Sequence, residues 1–160
     1  MIYKFLFNAA GDNFIPDNIL NLIKGEYSIA SKNTPNDKNF EGTENVYSYG
    51  AITFWHPKKF STEENIREYE KWFIEFIENN HKLFQDNGAD NFDIYMEIYY
   101  EGEQCNFEIF DKNLLKRLSP FDISLPISIY LLKEIEYLKW EQEIKSDWDS
   151  GDILEPSLQD

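Results

Sequence analysis

Phe92–Tyr100 reads FDIYMEIYY. Phe92, Ile94, Met96, Ile98 and Tyr100 occupy every second position, and Asp93, Tyr95, Glu97 and Tyr99 fill the places between them. Side chains of an extended chain alternate between two faces, so the pattern predicts a strand with one face in a core and the other toward water. Glu101-Gly102-Glu103 then reads as a tight turn into Gln104–Phe110, QCNFEIF, where Cys105, Phe107 and Ile109 alternate with polar residues; a β-hairpin is expected.

Further downstream, Asp111 is placed to cap a short helix carrying Leu114, Leu115 and Leu118, which Ser119-Pro120 ends. Ile123–Leu131 reads as a last strand, and Pro126, which has no amide proton to donate to a ladder, puts it at an edge or a bulge. The charged stretch KEIEYLKWEQEIKSDWD predicts a C-terminal helix with a Tyr137, Trp140, Ile144 and Trp148 stripe. Residues 149–160 are expected to form a flexible acidic tail.

Upstream, Asn87-Gly88 closes a long amphipathic helix on which Ile66, Tyr69, Phe73, Phe76, Ile77 and Phe84 recur at helical spacing while Glu68, Glu70, Lys71, Glu75 and Glu78 point away. Ser61-Thr62-Glu63-Glu64 fits a capping box at its start. Val46–Trp55, VYSYGAITFW, reads as a strand that places Tyr47, Tyr49, Ala51, Thr53 and Trp55 on one face. The polar run Ser31–Asn45 reads as a long loop, Pro16–Ile23 as a short helix stopped by Gly25, and Ile2–Asn8 as the first strand. The sum is a single α+β domain over residues 1–148. It is expected to be a mainly antiparallel sheet of about five strands with helices packed on one face, a ferredoxin-like sandwich, plus the C-terminal helix.

The early FNAAGDNFIPDNILNLI segment, the loop with Pro35 and Gly42, the long central helix, the DIYMEIYYEG hairpin and the closing FEIFDKNLLKRLSPFDISLPISIY resemble the bacterial domain-of-unknown-function family 4279. The closing segment, with Leu115, Leu118 and Tyr130, carries most of the resemblance, which covers about Ile2 to Tyr130. It implies a small bacterial intracellular protein with no assigned catalytic residues, related in kind to the immunity proteins of toxin systems.

Thirty acidic and fifteen basic side chains give a formal net charge of -15. Such a charge repels phosphate backbones and anionic membranes and attracts basic proteins, so direct nucleic-acid binding and membrane association are disfavoured. No stretch approaches the roughly 18 apolar residues of a membrane span, and Cys105 is a lone cysteine that can form no internal disulfide; a reducing, cytoplasmic setting fits. No phosphate-binding glycine loop, nucleophile elbow or paired-histidine metal motif occurs. His56 and His81 read as surface or capping residues, and no cofactor, metal or enzymatic activity is expected. Asp93 and Glu97 would stand about 13 Å apart along one strand at 3.3 Å per residue, too far to share a proton.

Asp93, Tyr95, Glu97 and Tyr99 make better sense as a surface, since tyrosines concentrate in interface cores and carboxylates would meet a basic partner. Tyr47, Tyr49 and Trp55 extend that surface, and Asp147 and Asp149 mark a second anionic patch. The competing expectation is that the C-terminal helix lies over this face and turns it into a second core. The leading functional expectation is an immunity-type protein that occludes the basic site of a toxin such as a cationic nuclease. The alternatives are a homodimeric structural or regulatory module, and a small-ligand binder or enzyme with a site near the first long loop.

Overall fold

Alternating apolar residues need covered faces, and the chain supplies them by folding helices onto both sides of one mixed sheet. The computed structural model describes residues 1–39, 45–104 and 106–150. In chain order the elements are β1 (Ile2–Gly11), β2 (Ser28–Asn33), β3 (Gly50–Trp55), β4 (Ser61–Thr62), α1 (Ile66–Asp86), β5 (Asn91–Tyr100), α2 (Lys112–Leu118), β6 (Ile127–Leu131) and α3 (Glu134–Ser150). Short 3-10 turns stand at Pro16–Asn18, Leu20–Leu22 and Ser119–Phe121. The sheet order is β2-β3-β1-β5-β6, with β4 also paired to β1.

The α+β class and the mainly antiparallel pairing agree with the alternation read from the sequence. Both β3 and β5 run antiparallel to β1, so α1 joins two parallel strands with β1 held between them, a split βαβ unit of the ferredoxin-like kind. The far side departs from that pattern, because β5, α2 and β6 form an adjacent parallel pair. That pairing removes the expected Gln104–Phe110 hairpin. One edge of β5 is taken by β1 and the other by β6, so residues 106–110 have no ladder to join and form no strand; Cys105 lies outside the described residues. As Pro126 implied, β6 is an edge strand, and Asp111 caps α2 by accepting from the Asn113 and Leu114 amides.

Two other local expectations give way to tertiary pairing. Ser61 and Thr62 form no capping box; they are buried and pair with Tyr3 and Ile2, and the helix starts only after Asn65. Part of the supposed loop from Ser31 is strand, because Ser28–Asn33 pairs with β3. Conversely, the strand expected from Val46 begins at Gly50. Tyr47 instead exchanges backbone hydrogen bonds with Asn36 and Asp37, as one arm of a small loop.

One sheet face carries the main core. Tyr3, Phe5, Phe7 and Ala9 of β1, Ile52 and Phe54 of β3, and Phe92, Ile94, Met96 and Ile98 of β5 pack beneath α1. Phe5 meets Phe73 at 5.7 Å between ring centres, and Phe7 meets Phe76 at 6.0 Å and Phe84 at 5.8 Å. Complete burial of each such ring contributes about 1.5–3 kcal/mol. The Tyr69 hydroxyl ties helix to sheet, accepting from the Phe5 amide at 3.0 Å and donating to the Lys59 carbonyl at 2.9 Å. Glu70, expected to point to solvent, is fully buried. It accepts from the Phe110 amide at 2.6 Å and from Arg67 at 2.9 Å, which holds the left-handed turn at Phe110 (φ 50°) over the core.

α3 crosses the other face at one end only. Tyr137 and Ile144 bury Ile2, with Phe60, Tyr99, Leu132, Trp140 and Trp148 around them. Asp149 and Ser150 belong to the last turn of α3, and residues 151–160 lie outside the described residues.

Candidate partner-binding face

Alternation along β1, β3 and β5 sets Lys4, Asn8, Thr53, Trp55, Asp93, Tyr95, Glu97 and Tyr99 on the face opposite α1, in matched register. The structure thus brings together five of the residues picked from sequence, Trp55, Asp93, Tyr95, Glu97 and Tyr99. The competing expectation, a covering helix, also holds in part. α3 takes Tyr99, which lies 5.3 Å from Trp140 between ring centres, whereas Asp93, Tyr95 and Glu97 stay half-buried beyond its reach.

The carboxylates of this floor are already matched. Lys4 Nζ donates to Glu97 at 2.7 Å and the Tyr99 hydroxyl donates to the same oxygen at 2.8 Å. Burial, reinforced by that carboxylate, holds the Tyr99 hydroxyl well above the ordinary tyrosine range. Asn8 Nδ2 donates to Asp93 at 2.7 Å while the Asn8 oxygen accepts from Thr53 at 2.7 Å. Burial raises the Asp93 carboxyl above its usual value, and the Asn8 hydrogen bond pulls the other way. The Tyr95 hydroxyl and Ser128 share a hydrogen bond at 2.7 Å. Lys59 Nζ stands 3.9 Å above the Trp55 ring, where burial, and then repulsion from Lys4, lower its amine below the ordinary lysine value. Lys4 therefore answers Glu97, a neutral amide holds Asp93, and the middle of the face is a hydrogen-bonded polar floor rather than a bare acidic patch.

Unmatched charge appears at the end away from α3. There Asn8, Ala10, Gly11, Asp12, Ser31, Asn33, Tyr47, Tyr49, Ala51, Thr53, Asp90 and Asn91 line an open cavity of about 580 Å³. Its floor is low because Ala10, Gly11 and Ala51 have almost no side chain. Tyr47 and Tyr49 meet edge to face at 5.8 Å and form a wall, with Tyr49 exposed. Asp12 and Asp90 are exposed, and neither has a cationic partner among the described residues. Sequence reading singled out neither as a site residue. The signal for their convergence lay in the pairing of β1 with β5, which places the Gly11-Asp12 and Asp90-Asn91 turns at the same end of the sheet.

The C-terminal acids do not join this site. Asp147 is engaged with Lys58, whose Nζ donates to the Asp147 carbonyl at 2.5 Å and sits 3.5 Å from its carboxylate. It borders a separate cavity of about 240 Å³ with Lys59, Phe60, Trp140, Glu143 and Ile144. Asp149 is exposed on the last turn of α3.

The histidines are not surface residues. His56 is buried among Tyr69, Trp72 and Trp148, stacked on the last at 5.5 Å. Its Nδ1 lies 2.8 Å from the Lys58 amide and 2.9 Å from the Lys58 carbonyl, and burial drives its pKa down to about 4. His81 is buried between Phe92 and Phe121. Among the described residues, no three histidine, cysteine or carboxylate side chains cluster as a metal site requires, and no helix is long and apolar enough to cross a membrane. No family model matches the chain, and comparison with curated proteins and with solved structures returns no match either.

Proposed function

We propose that the protein binds a basic partner protein on this sheet face, taking a cationic side chain of the partner into the cavity between Tyr47, Tyr49, Asp12 and Asp90. The observation that carries the reading is the pair of carboxylates, without cationic partners among the described residues, at the rim of an aromatic-walled, amide-lined cavity, beside a floor whose own polar groups are hydrogen-bonded to one another. An arginine entering there would stack on a tyrosine ring while its guanidinium reached the carboxylates. The net charge of -15 would speed the encounter with such a partner. An immunity-type role, in which occupancy blocks the basic site of a toxin such as a cationic nuclease, is the biological form we favour.

The decisive experiment co-expresses the chain with basic proteins encoded beside its gene and scores growth rescue together with affinity. Tyr47→Ala, Asp12→Asn and Asp90→Asn combined are expected to weaken binding at least about a hundredfold, or some 2.7 kcal/mol, without lowering thermal stability. Undiminished neutralisation by the triple variant, or failure to bind any such protein, would remove the proposal. The same cavity supports a second reading, a small amine or guanidine ligand. Saturable binding of free arginine or spermidine, abolished by the same substitutions, would favour it. An enzymatic version gains nothing from His56, which lines a different cavity with Lys24, Trp72 and Trp148.

A further inference from the structure

The two edges of the sheet are finished differently. On β2, a register irregularity between Ile29 and Ser31 and the charged Lys32 interrupt the outer edge, the usual protections against strand addition. β6, Ile-Ser-Ile-Tyr-Leu over 127–131, has neither charge nor bulge. Ile127, Ile129 and Leu131 are 49%, 51% and 66% exposed, and among the described residues no strand pairs with their outer side.

The hydrogen-bonding direction of each residue follows from the ladder. Met96 N donates to Pro126 O at 2.9 Å and Leu132 N donates to Tyr100 O at 2.8 Å, so even-numbered residues aim their backbone groups at β5. Alternate residues along a strand aim theirs the opposite way, which leaves the amides and carbonyls of Ile127, Ile129 and Leu131 pointing outward. The amide that Pro126 lacks belongs to the inner set. The proline weakens the join to β5 and leaves the outer edge intact.

We infer that β6 is the interface of a symmetric homodimer, pairing antiparallel with β6 of a second copy about a two-fold axis at Ile129. In that register Ile129 meets its own copy and Ile127 meets Leu131, all three as hydrogen-bonded pairs, and the sheet continues through both molecules. The absence of charge favours this occupant over a basic protein. A residue near a two-fold axis faces itself, so any charge there would be repelled, whereas a basic partner would find no carboxylate on this strand. Ile135, 83% exposed in the first turn of α3, adds apolar surface where β6 ends. Five paired residues with this neighbour fall short of the roughly 1,200 Å² in total at which stable interfaces begin, so the dimer is weak and reversible.

Sedimentation equilibrium of the full chain, from micromolar to millimolar concentration, tests this. The expected species is twice 19.1 kDa. Ile129→Lys sets two ammonium groups against each other, and Ile129→Pro deletes an outward amide without touching the β5 ladder. Each should raise the dissociation constant at least about tenfold while the near-ultraviolet circular dichroism stays that of the wild type. A wild-type chain that remains at 19.1 kDa throughout, including one that takes up an extended peptide on β6 only as a monomer, overturns the inference. So does a dimer that survives both substitutions. The cavity proposal stands or falls separately, because the triple variant described above leaves β6 unchanged.

Discussion

At His56 the neutral imidazole is part of the packing. Its pKa of about 4 lies below the ordinary value of 6.5, so as pH falls the unfolded chain takes up the proton before the folded one. The stability that His56 contributes is complete above about pH 6.5 and is lost between there and about pH 4, by up to about 3 kcal/mol. His56→Asn, whose amide oxygen can still accept from the Lys58 amide, should flatten that part of the profile in urea unfolding followed across the same pH range. An unchanged slope would mean that other groups carry the acid sensitivity. Glu70 behaves differently. Burial raises its carboxyl, against the hydrogen bonds from the Phe110 amide and Arg67. Glu70→Gln keeps an acceptor for that amide and is expected to cost about 1 kcal/mol. Glu70→Ala strands a buried donor and should cost about 2–3 kcal/mol, measured in the same way. Neither residue was legible in the sequence: spacing put Glu70 on the outer face of α1, and only the return of the chain at Phe110 brings it inside.

Among the elements, those whose partners are near in sequence or whose pattern is unambiguous could be read directly: β1, α1, β5, the Asp111 cap and α3. Failures fell where two elements competed for one edge. QCNFEIF alternates as well as any strand, but β6 holds the position beside β5, and Ser61-Thr62 satisfies a capping rule that β1 outbids. Of the site, the strand face was legible from period-two spacing, whereas the cavity was not, because it depends on turns brought together by strand register. Gly50 shows how tightly that end is built: a methyl group there would lie 1.7 Å from the Phe14 carbonyl oxygen. Gly50→Ala should therefore cost at least about 2 kcal/mol in thermal unfolding. α3 makes a complementary case. Trp148 stacks on His56 and donates to the Phe60 carbonyl at 2.9 Å. Trp148→Ala should raise the His56 pKa toward 6.5 as water reaches the ring, an effect readable by NMR titration.

For the molecule as a whole, the net charge of -15 gives the two proposed associations opposite responses to salt. Capture of a basic partner weakens as ionic strength rises, because the attraction is screened. Pairing of two acidic copies strengthens, because their repulsion is screened while the apolar contact is not. Measuring both affinities at low and high salt therefore separates them without mutation. β1 is the first strand in the chain and the middle strand of the sheet, and Lys4 finds Glu97 across a separation of 93 residues. A ribosome releases residues in order, so the central strand must wait for nearly two-thirds of the chain before its second neighbour exists. Folding of this protein is then expected to be slow for its size and largely complete only after β5 has been synthesised.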